Sequence, residues 1–238
     1  MHSEVNLQEV KEKLIDKLKA SGWAYMLKGF IHSSDFDDIL KTLYELREEG
    51  KRFTPPLKQV FSAFENCSQE NMKVIIIGQD PYPQIGVADG MAFSCSNTMK
   101  LQPSLRHLFE GINESVYSNQ PITCNPDLTR WAKQGVLLLN TALTCEIDKI
   151  GSHVKIWQNF IMYVLDILCL TNSGIIFILL GNKAHELESV IGPNHYVLKA
   201  SHPASAAYTK SVWDCQDVFN KANEIIEKNH GSQFKIKW

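Results

Sequence analysis

Two stretches near the start of the chain carry apolar side chains at every third or fourth position. They are Leu7, Val10, Leu14 and Leu18, and then Phe36, Ile39, Leu40 and Leu43. This spacing puts the apolar side chains on one face of a helix, the face that packs against a core. We therefore predict that residues 1–70 form packing helices without an active-site role.

Beyond residue 73 the pattern changes to short, continuous apolar runs. The runs cover residues 74–77, 136–139, 175–180 and 196–198. Uninterrupted apolar runs of this length suit strands that are buried on both faces of a parallel sheet. Amphipathic stretches between and after the runs predict helices over residues 104–116, 127–134 and 214–228.

Strands that alternate with helices indicate an α/β fold. We expect a single domain over residues 1–238, in which the helices of residues 1–70 pack on an α/β core of residues 71–228. A central four-stranded, mainly parallel sheet flanked by helices would form that core. The 238 residues, 44% of them apolar, are enough to bury one large core, and no repeat or charge block marks a linker.

The charge of the chain limits how it could contact DNA, and its cysteine content indicates the cellular compartment. The net charge of −2 creates no general attraction for a polyanion, so any contact with DNA must be made locally by loops. The six cysteines are widely and irregularly spaced, without a zinc or iron–sulfur pattern. We interpret them as reduced thiols in an intracellular protein.

The ends and the longest apolar stretch give no sign of a membrane segment. The first 13 residues are charged and polar, and Asp166 interrupts the apolar stretch over residues 160–170. A signal peptide and a membrane span are therefore not expected. We expect a monomer in the cytoplasm, and a nuclear location is left open.

Each of the four apolar runs leads directly into polar or glycine residues. Asp80 follows the first run closely, Asn140 the second, Gly181 the third and His202 the fourth. In an open parallel sheet the carboxyl ends of the strands form the ligand crevice, where these residues should meet. Polar residues also end strands simply as turn residues, but an acid, an amide and an imidazole at one edge favour a chemical site.

The loop after the first run carries the best candidate for chemistry. Asp80 is followed by Pro81, whose ring stiffens the loop and so holds the carboxylate in one place. A fixed carboxylate suits a general base or a group that stabilises developing positive charge. His202 also precedes a proline, and a lone histidine is more often structural than catalytic.

With these residues identified, the sequence resembles that of the family 1 uracil-DNA glycosylases. Residues 78–82 (Gly-Gln-Asp-Pro-Tyr) are similar to the family's water-activating loop, and residues 91–94 to its segment with a base-stacking phenylalanine. Residues 102–105 resemble its proline-rich loop and residues 131–141 its uracil-reading strand. Residues 152–157, the strand end at 180–181 and the pair at 202–203 follow in the family's order. The resemblance extends over roughly residues 23–225.

The resemblance implies an enzyme that removes uracil from single- or double-stranded DNA after flipping the base into a pocket. Phe93 would stack on the base. Asn140 would read its edge, because a carboxamide can accept from N3–H and donate to O4, a pattern that cytosine reverses. Tyr82 would exclude the methyl group of thymine by steric overlap, and the backbone at Gln79 would complete the pocket.

The resemblance also implies how the glycosidic bond is broken. The departing base is anionic and the sugar has oxocarbenium character, so a donor is needed near base O2 and a negative charge near the sugar. His202 would supply the donor. Asp80 would supply the charge and would position or deprotonate the attacking water. These steps require neither a metal nor an organic cofactor.

Four further residues correspond to loops that hold the DNA backbone in the family. They are Ser104, Gly181, Asn182 and Ser205. Hydroxyls and main-chain N–H groups can bind phosphates without many lysines, which reconciles a DNA substrate with the net charge of the chain.

The chain departs from the family pattern at several positions. Pro83 stands where a histidine is usual, Asn182 replaces a serine, and Ala206 replaces a leucine that fills the gap left by the flipped base. An alanine cannot fill that gap, so we predict less efficient excision from duplex than from single-stranded DNA. A phage protein that inhibits the family closes its apolar pocket on the same leucine, so we predict that such an inhibitor binds with weakened affinity.

Three alternatives compete with this interpretation. A non-catalytic or weakly active DNA-binding or accessory protein of the same fold would explain the atypical Pro83 and Ala206, but Asp80 and His202 are both retained. A phosphate or nucleotide enzyme would require a glycine-rich phosphate motif, which follows none of the apolar runs. A glycosylase for a modified uracil is disfavoured by Tyr82, which leaves little room at C5.

Overall fold

The computed structural model describes residues 6–206 and 213–238. Three helices come first: α1 (Leu7–Lys19), α2 (Trp23–Ile31) and α3 (Ser34–Glu48). The side chains of Asn6 and Ser33 cap α1 and α3 by accepting a backbone N–H of the first turn. Helices α1 and α3 cover the residues for which the apolar spacing predicted helices, whereas α2 was not predicted.

The elements after α3 are strands interspersed with helices. In chain order they are β1 (Phe53–Thr54), α4 (Ser62–Asn66), β2 (Val74–Gly78), α5 (Pro103–Tyr117), α6 (Thr129–Ala132), β3 (Val136–Asn140), β4 (Cys145–Glu146), α7 (Val154–Thr171), β5 (Ile176–Leu180), α8 (Asn182–His185), β6 (Tyr196–Ala200) and α9 (Val218–His230).

The central sheet has four strands in the order β3-β2-β5-β6, and all neighbours run parallel. The predicted α/β fold with a four-stranded parallel sheet is therefore confirmed. Strand β2 is followed along the chain by β3 on one side, and later by β5 on the other. A change of direction of this kind opens a crevice at the carboxyl end of the strand, directly before Gln79 and Asp80.

Burial follows the sequence prediction for three strands and contradicts it for the fourth. Strands β2, β3 and β5 are buried along their whole length. Strand β6 is not buried on both faces, and Tyr196 is 38% exposed. The reason is its position at the edge of the sheet, where it pairs only with β5.

Two predicted helices are shorter in the structure because side chains stop them locally. The Asp127 carboxylate accepts the N–H of Thr129, a turn that delays the start of α6. The Asp214 carboxylate likewise accepts the N–H of Gln216. Gln216 and Asp217 have positive φ angles, so α9 begins only at Val218.

Helix α7 is the one helix in the described ranges that could cross a membrane by length and composition. One face of it packs into the protein core. The ring of Phe160 lies 5.3 Å from that of Phe30 in α2 and 5.5 Å from that of Phe61. The N-terminal helices and the sheet thereby share one continuous apolar core.

Candidate active site

A cavity of about 240 Å³ opens at the carboxyl ends of the strands. Its lining includes all six residues predicted to bind or attack the substrate: Gln79, Asp80, Tyr82, Phe93, Asn140 and His202. The register of the sheet brings them together, because Gly78 at the end of β2 pairs with Asn140 at the end of β3. Side chains from the loop after β2, the turn at Phe93, the end of β3 and the loop after β6 therefore face one space.

The two carboxylate oxygens of Asp80 have different surroundings. Oδ2 accepts the backbone N–H of Gly151 at 3.1 Å. Oδ1 is buried and has no hydrogen-bond partner within the described residues. Burial raises the pKa of Asp80, and the hydrogen bond from Gly151 opposes that shift. One oxygen is thus held by the protein, and the other is left for a ligand or a water molecule.

Backbone contacts support the loop that carries Asp80. The N–H of Asp148 donates to the carbonyl oxygen of Pro83 at 3.2 Å, and the thiol of Cys145 donates to that of Pro81 at 3.5 Å. Strand β4, which contains Cys145, is itself paired with β1. The loop is therefore braced by the segment after β3, although Pro83 provides no imidazole.

Asn140 and Phe93 meet closely over Gly78. A Cβ atom on Gly78 would lie 2.7 Å from Oδ1 of Asn140 and 3.2 Å from Cε2 of Phe93. Thr141 Oγ1 and Ala142 N both donate to the carbonyl oxygen of Gln79, at 2.9 and 3.1 Å. Glycine at position 78 is consequently a packing requirement of the pocket.

Phe93 has a left-handed backbone conformation with φ of 65°. Such a conformation costs a non-glycine residue about 1–2 kcal/mol. The buried carboxylate of Asp89 offsets this cost by accepting four hydrogen bonds of 2.6 to 3.1 Å from Met91 N, Ser94 Oγ, Ser96 N and Ser96 Oγ. Asp89 therefore fixes the turn that aims the Phe93 ring into the cavity.

Tyr82 forms a wall of the cavity and is held at its hydroxyl end. The hydroxyl donates to the carbonyl oxygen of Phe93 at 2.9 Å and lies 3.2 Å from Oγ of Ser104. Burial raises the pKa of Tyr82 further above neutrality, so the phenol remains protonated. Its ring is therefore an uncharged, fixed surface.

His202 has a defined tautomer in the structure. Its Nδ1 accepts the backbone N–H of Ala204 at 3.2 Å, so the proton of the neutral ring must be on Nε2. Burial lowers the pKa of His202 and favours this neutral form. Gly181 packs against the imidazole, since a Cβ there would approach Cβ of His202 to 2.9 Å. The ring can thus present an N–H donor to a ligand.

This geometry agrees with comparisons to known proteins. The model of the Uracil DNA glycosylase superfamily matches residues 64–227. The chain belongs to this superfamily. It is similar to the uracil-DNA glycosylases of Amoebophilus asiaticus (41% identity over 89% of this chain and 95% of the relative) and Acinetobacter baylyi (35% identity over 97% and 98%).

Solved structures support the fold of the chain. The mimivirus uracil-DNA glycosylase superposes with a TM-score of 0.81 and 23% identity, covering 95% of this chain and 87% of that one. A variant of mimivirus UNG in complex with UGI gives 0.80 and 24%, covering 93% and 90%. The sequence prediction of the family and its fold is confirmed.

The predicted DNA-backbone residues lie outside the cavity except for Ser104. Ser104 is buried and its hydroxyl contacts Tyr82. The N–H of Gly181 donates to the carbonyl oxygen of Ala200 at 3.0 Å, so that N–H is already used within the protein. Asn182 begins α8 with an exposed side chain. The DNA contacts of these residues stay predictions.

The segment after His202 has no exposed apolar side chain at position 206, where the family has the leucine that fills the gap left by the flipped base. Ser205 Oγ donates to Ser201 Oγ at 3.3 Å. Ala206, which stands in place of the family's gap-filling leucine, is only 3% exposed and belongs to the apolar core. Residues 207–212 lie outside the described ranges. Position 206 therefore presents no side chain that could enter DNA in this structure.

Sequence reasoning missed two groups that hold the candidate site together. Gly151 offers only a backbone amide to Asp80, and no side-chain pattern could reveal that contact. Asp89 stands in a turn-like Asp-Gly pair, which indicates a loop but not its four hydrogen bonds.

Proposed function

We propose that the protein hydrolyses the N-glycosidic bond of deoxyuridine in DNA, releasing free uracil and leaving an abasic site. The observation that carries the proposal is the arrangement around Asp80. Its buried Oδ1 has no partner among the described residues, and it lines the same cavity as the Asn140 amide and the neutral His202 ring. The Asp80 oxygen as acceptor, the Asn140 amide as reader of the base edge and the His202 N–H as donor would thus face the same ligand.

The cavity suits a flat pyrimidine that lies on Phe93. The Phe93 and His202 rings both line the cavity, 5.6 Å apart and tilted by 35°. Asn140 would accept from uracil N3–H and donate to O4. The rigid Tyr82 ring would exclude a methyl group at C5, which argues for uracil rather than a 5-modified uracil.

The bond-breaking step follows from the two charges that develop. As the C1′–N1 bond breaks, its electron pair moves to the base, and Nε2–H of His202 would stabilise the resulting negative charge near O2. The sugar becomes positively charged opposite Asp80. A water held at Oδ1 then attacks C1′, and the carboxylate accepts a proton from that water.

The direct test is the release of uracil from a single-stranded oligonucleotide. We expect Asp80→Asn and His202→Leu to lower kcat/KM at least about 100-fold, because each removes transition-state stabilisation. Asp166→Asn, an exposed position on α7, is the matched control and should retain wild-type rates. Wild-type rates in Asp80→Asn would contradict the proposed role of Asp80, and absence of uracil release by the wild type would favour a non-catalytic DNA-binding protein of this fold.

We further propose that both single- and double-stranded DNA are substrates, and that the protein acts on DNA inside the cell as a monomer. A mimivirus relative has been crystallised with the inhibitor protein UGI. An inhibitor of this type would bind here with weakened affinity, because Ala206 is small and buried.

A further inference from the structure

An exposed aliphatic side chain stands at the mouth of the active-site cavity. Ile150 is 68% exposed, yet it lines the same cavity as Asp80 and His202. Single exposed apolar residues are ordinary on protein surfaces. Ile150 differs by its position, because it directly precedes Gly151, whose amide holds the Asp80 carboxylate. It therefore lies on the side of the mouth that would face the sugar.

The segment that carries Ile150 is held at several points. The N–H of Asp148 donates to Pro83, and the N–H of Glu146 donates to Oγ of Ser152 at 2.8 Å. Gly151 is tied to Asp80. A side chain on such a framework loses little conformational entropy when it meets a ligand.

The usual source of an inserted side chain is missing in the described structure. Ala206 is small and 3% exposed, so it offers no apolar group to the base stack. Ile150 has a branched, water-exposed side chain beside the entrance through which a flipped nucleotide must pass. Isoleucine is among the apolar residues that other proteins insert between bases.

We propose that Ile150 is an insertion residue, whose side chain contacts the base stack of duplex DNA beside the flipped deoxyuridine and helps to hold the gap open. The proposal rests on the proposed glycosylase function and deepens it. Single-stranded DNA has no stack to hold open, so Ile150 should matter mainly for duplex substrates.

The test compares one uracil-containing oligonucleotide as a single strand and as a duplex, at the same salt concentration. Burial of an isoleucine side chain contributes enough for about a tenfold effect. We therefore expect Ile150→Ala to lower the ratio of duplex to single-strand kcat/KM about tenfold, and Ile150→Leu to restore most of it. Ile85→Ala is the matched control, because Ile85 is 61% exposed but does not line the cavity.

A second measurement reports insertion without turnover. In an Asp80→Asn background, binding should raise the fluorescence of 2-aminopurine placed next to uracil in a duplex, and Ile150→Ala should reduce that rise. An unchanged ratio, or equal losses on both substrates, would overturn the insertion role. Absence of uracil release from the single strand by the wild type would instead overturn the proposed function.

Discussion

Replacing Gly78 with alanine should damage the site while leaving the fold intact. The new Cβ would lie 2.7 Å from Asn140 Oδ1 and 3.2 Å from Phe93 Cε2, whereas ordinary contacts begin at 3.4 Å. The Asn140 oxygen must therefore move by about 0.7 Å, the difference between 3.4 and 2.7 Å. Misplacement of about 1 Å costs on the order of 100-fold in rate. We expect kcat/KM for uracil release to fall about 10- to 100-fold.

The effect on stability should be small by comparison. Gly78 has no positive φ, so alanine causes no backbone strain there. The substitution gains about 0.4–1 kcal/mol by restricting the unfolded chain, and the local clash offsets that gain. The Tm should therefore change by no more than about 4 °C.

The assay is uracil release from a single-stranded oligonucleotide, measured together with thermal unfolding of each variant. Gly192→Ala is the matched control, since its Cβ would meet nothing within 4 Å and its φ is not positive. A Gly78→Ala enzyme with wild-type kcat/KM would refute the reasoning, because it would show that the placement of Asn140 and Phe93 does not limit the reaction.

Five more predictions concern pH, stability, loop geometry and the residue at position 206. Because burial raises the pKa of Asp80 and the proposed reaction uses its carboxylate, kcat/KM should fall as the pH drops through that pKa. The same shift means that the ionised carboxylate destabilises the fold above that pKa, so Asp80→Asn should raise Tm at neutral pH in thermal unfolding. Asp89→Ala should lower the free energy of unfolding by about 2–4 kcal/mol in urea titrations, because it leaves buried donors unpaired; a smaller loss than from an exposed Asp→Ala control would contradict the role of Asp89. Uracil in a duplex should be cut more slowly than in a single strand, and equal rates would remove that idea. An inhibitor of the UGI type should require a higher concentration than for a leucine-bearing relative, and an identical titration curve would contradict the prediction.

The sequence by itself determined the fold class, the four strands and the family. Apolar runs and polar strand ends are local signals, because the burial of a strand and its termination depend on consecutive residues. Parallel strands then bring their carboxyl ends to one edge, so Asp80, Asn140 and His202 could be predicted to meet before any coordinates were known.

Only the tertiary structure decided how these groups are held and which neighbours serve them. The Gly151 amide binds Asp80, from which it is separated by 71 positions in the chain. The same contact places the preceding residue, Ile150, at the cavity. The edge position of β6 and the burial of Ala206 likewise depend on what packs beside them. The partner of a backbone amide and the burial of a side chain cannot be predicted from residue types along the chain, because packing between distant segments determines both.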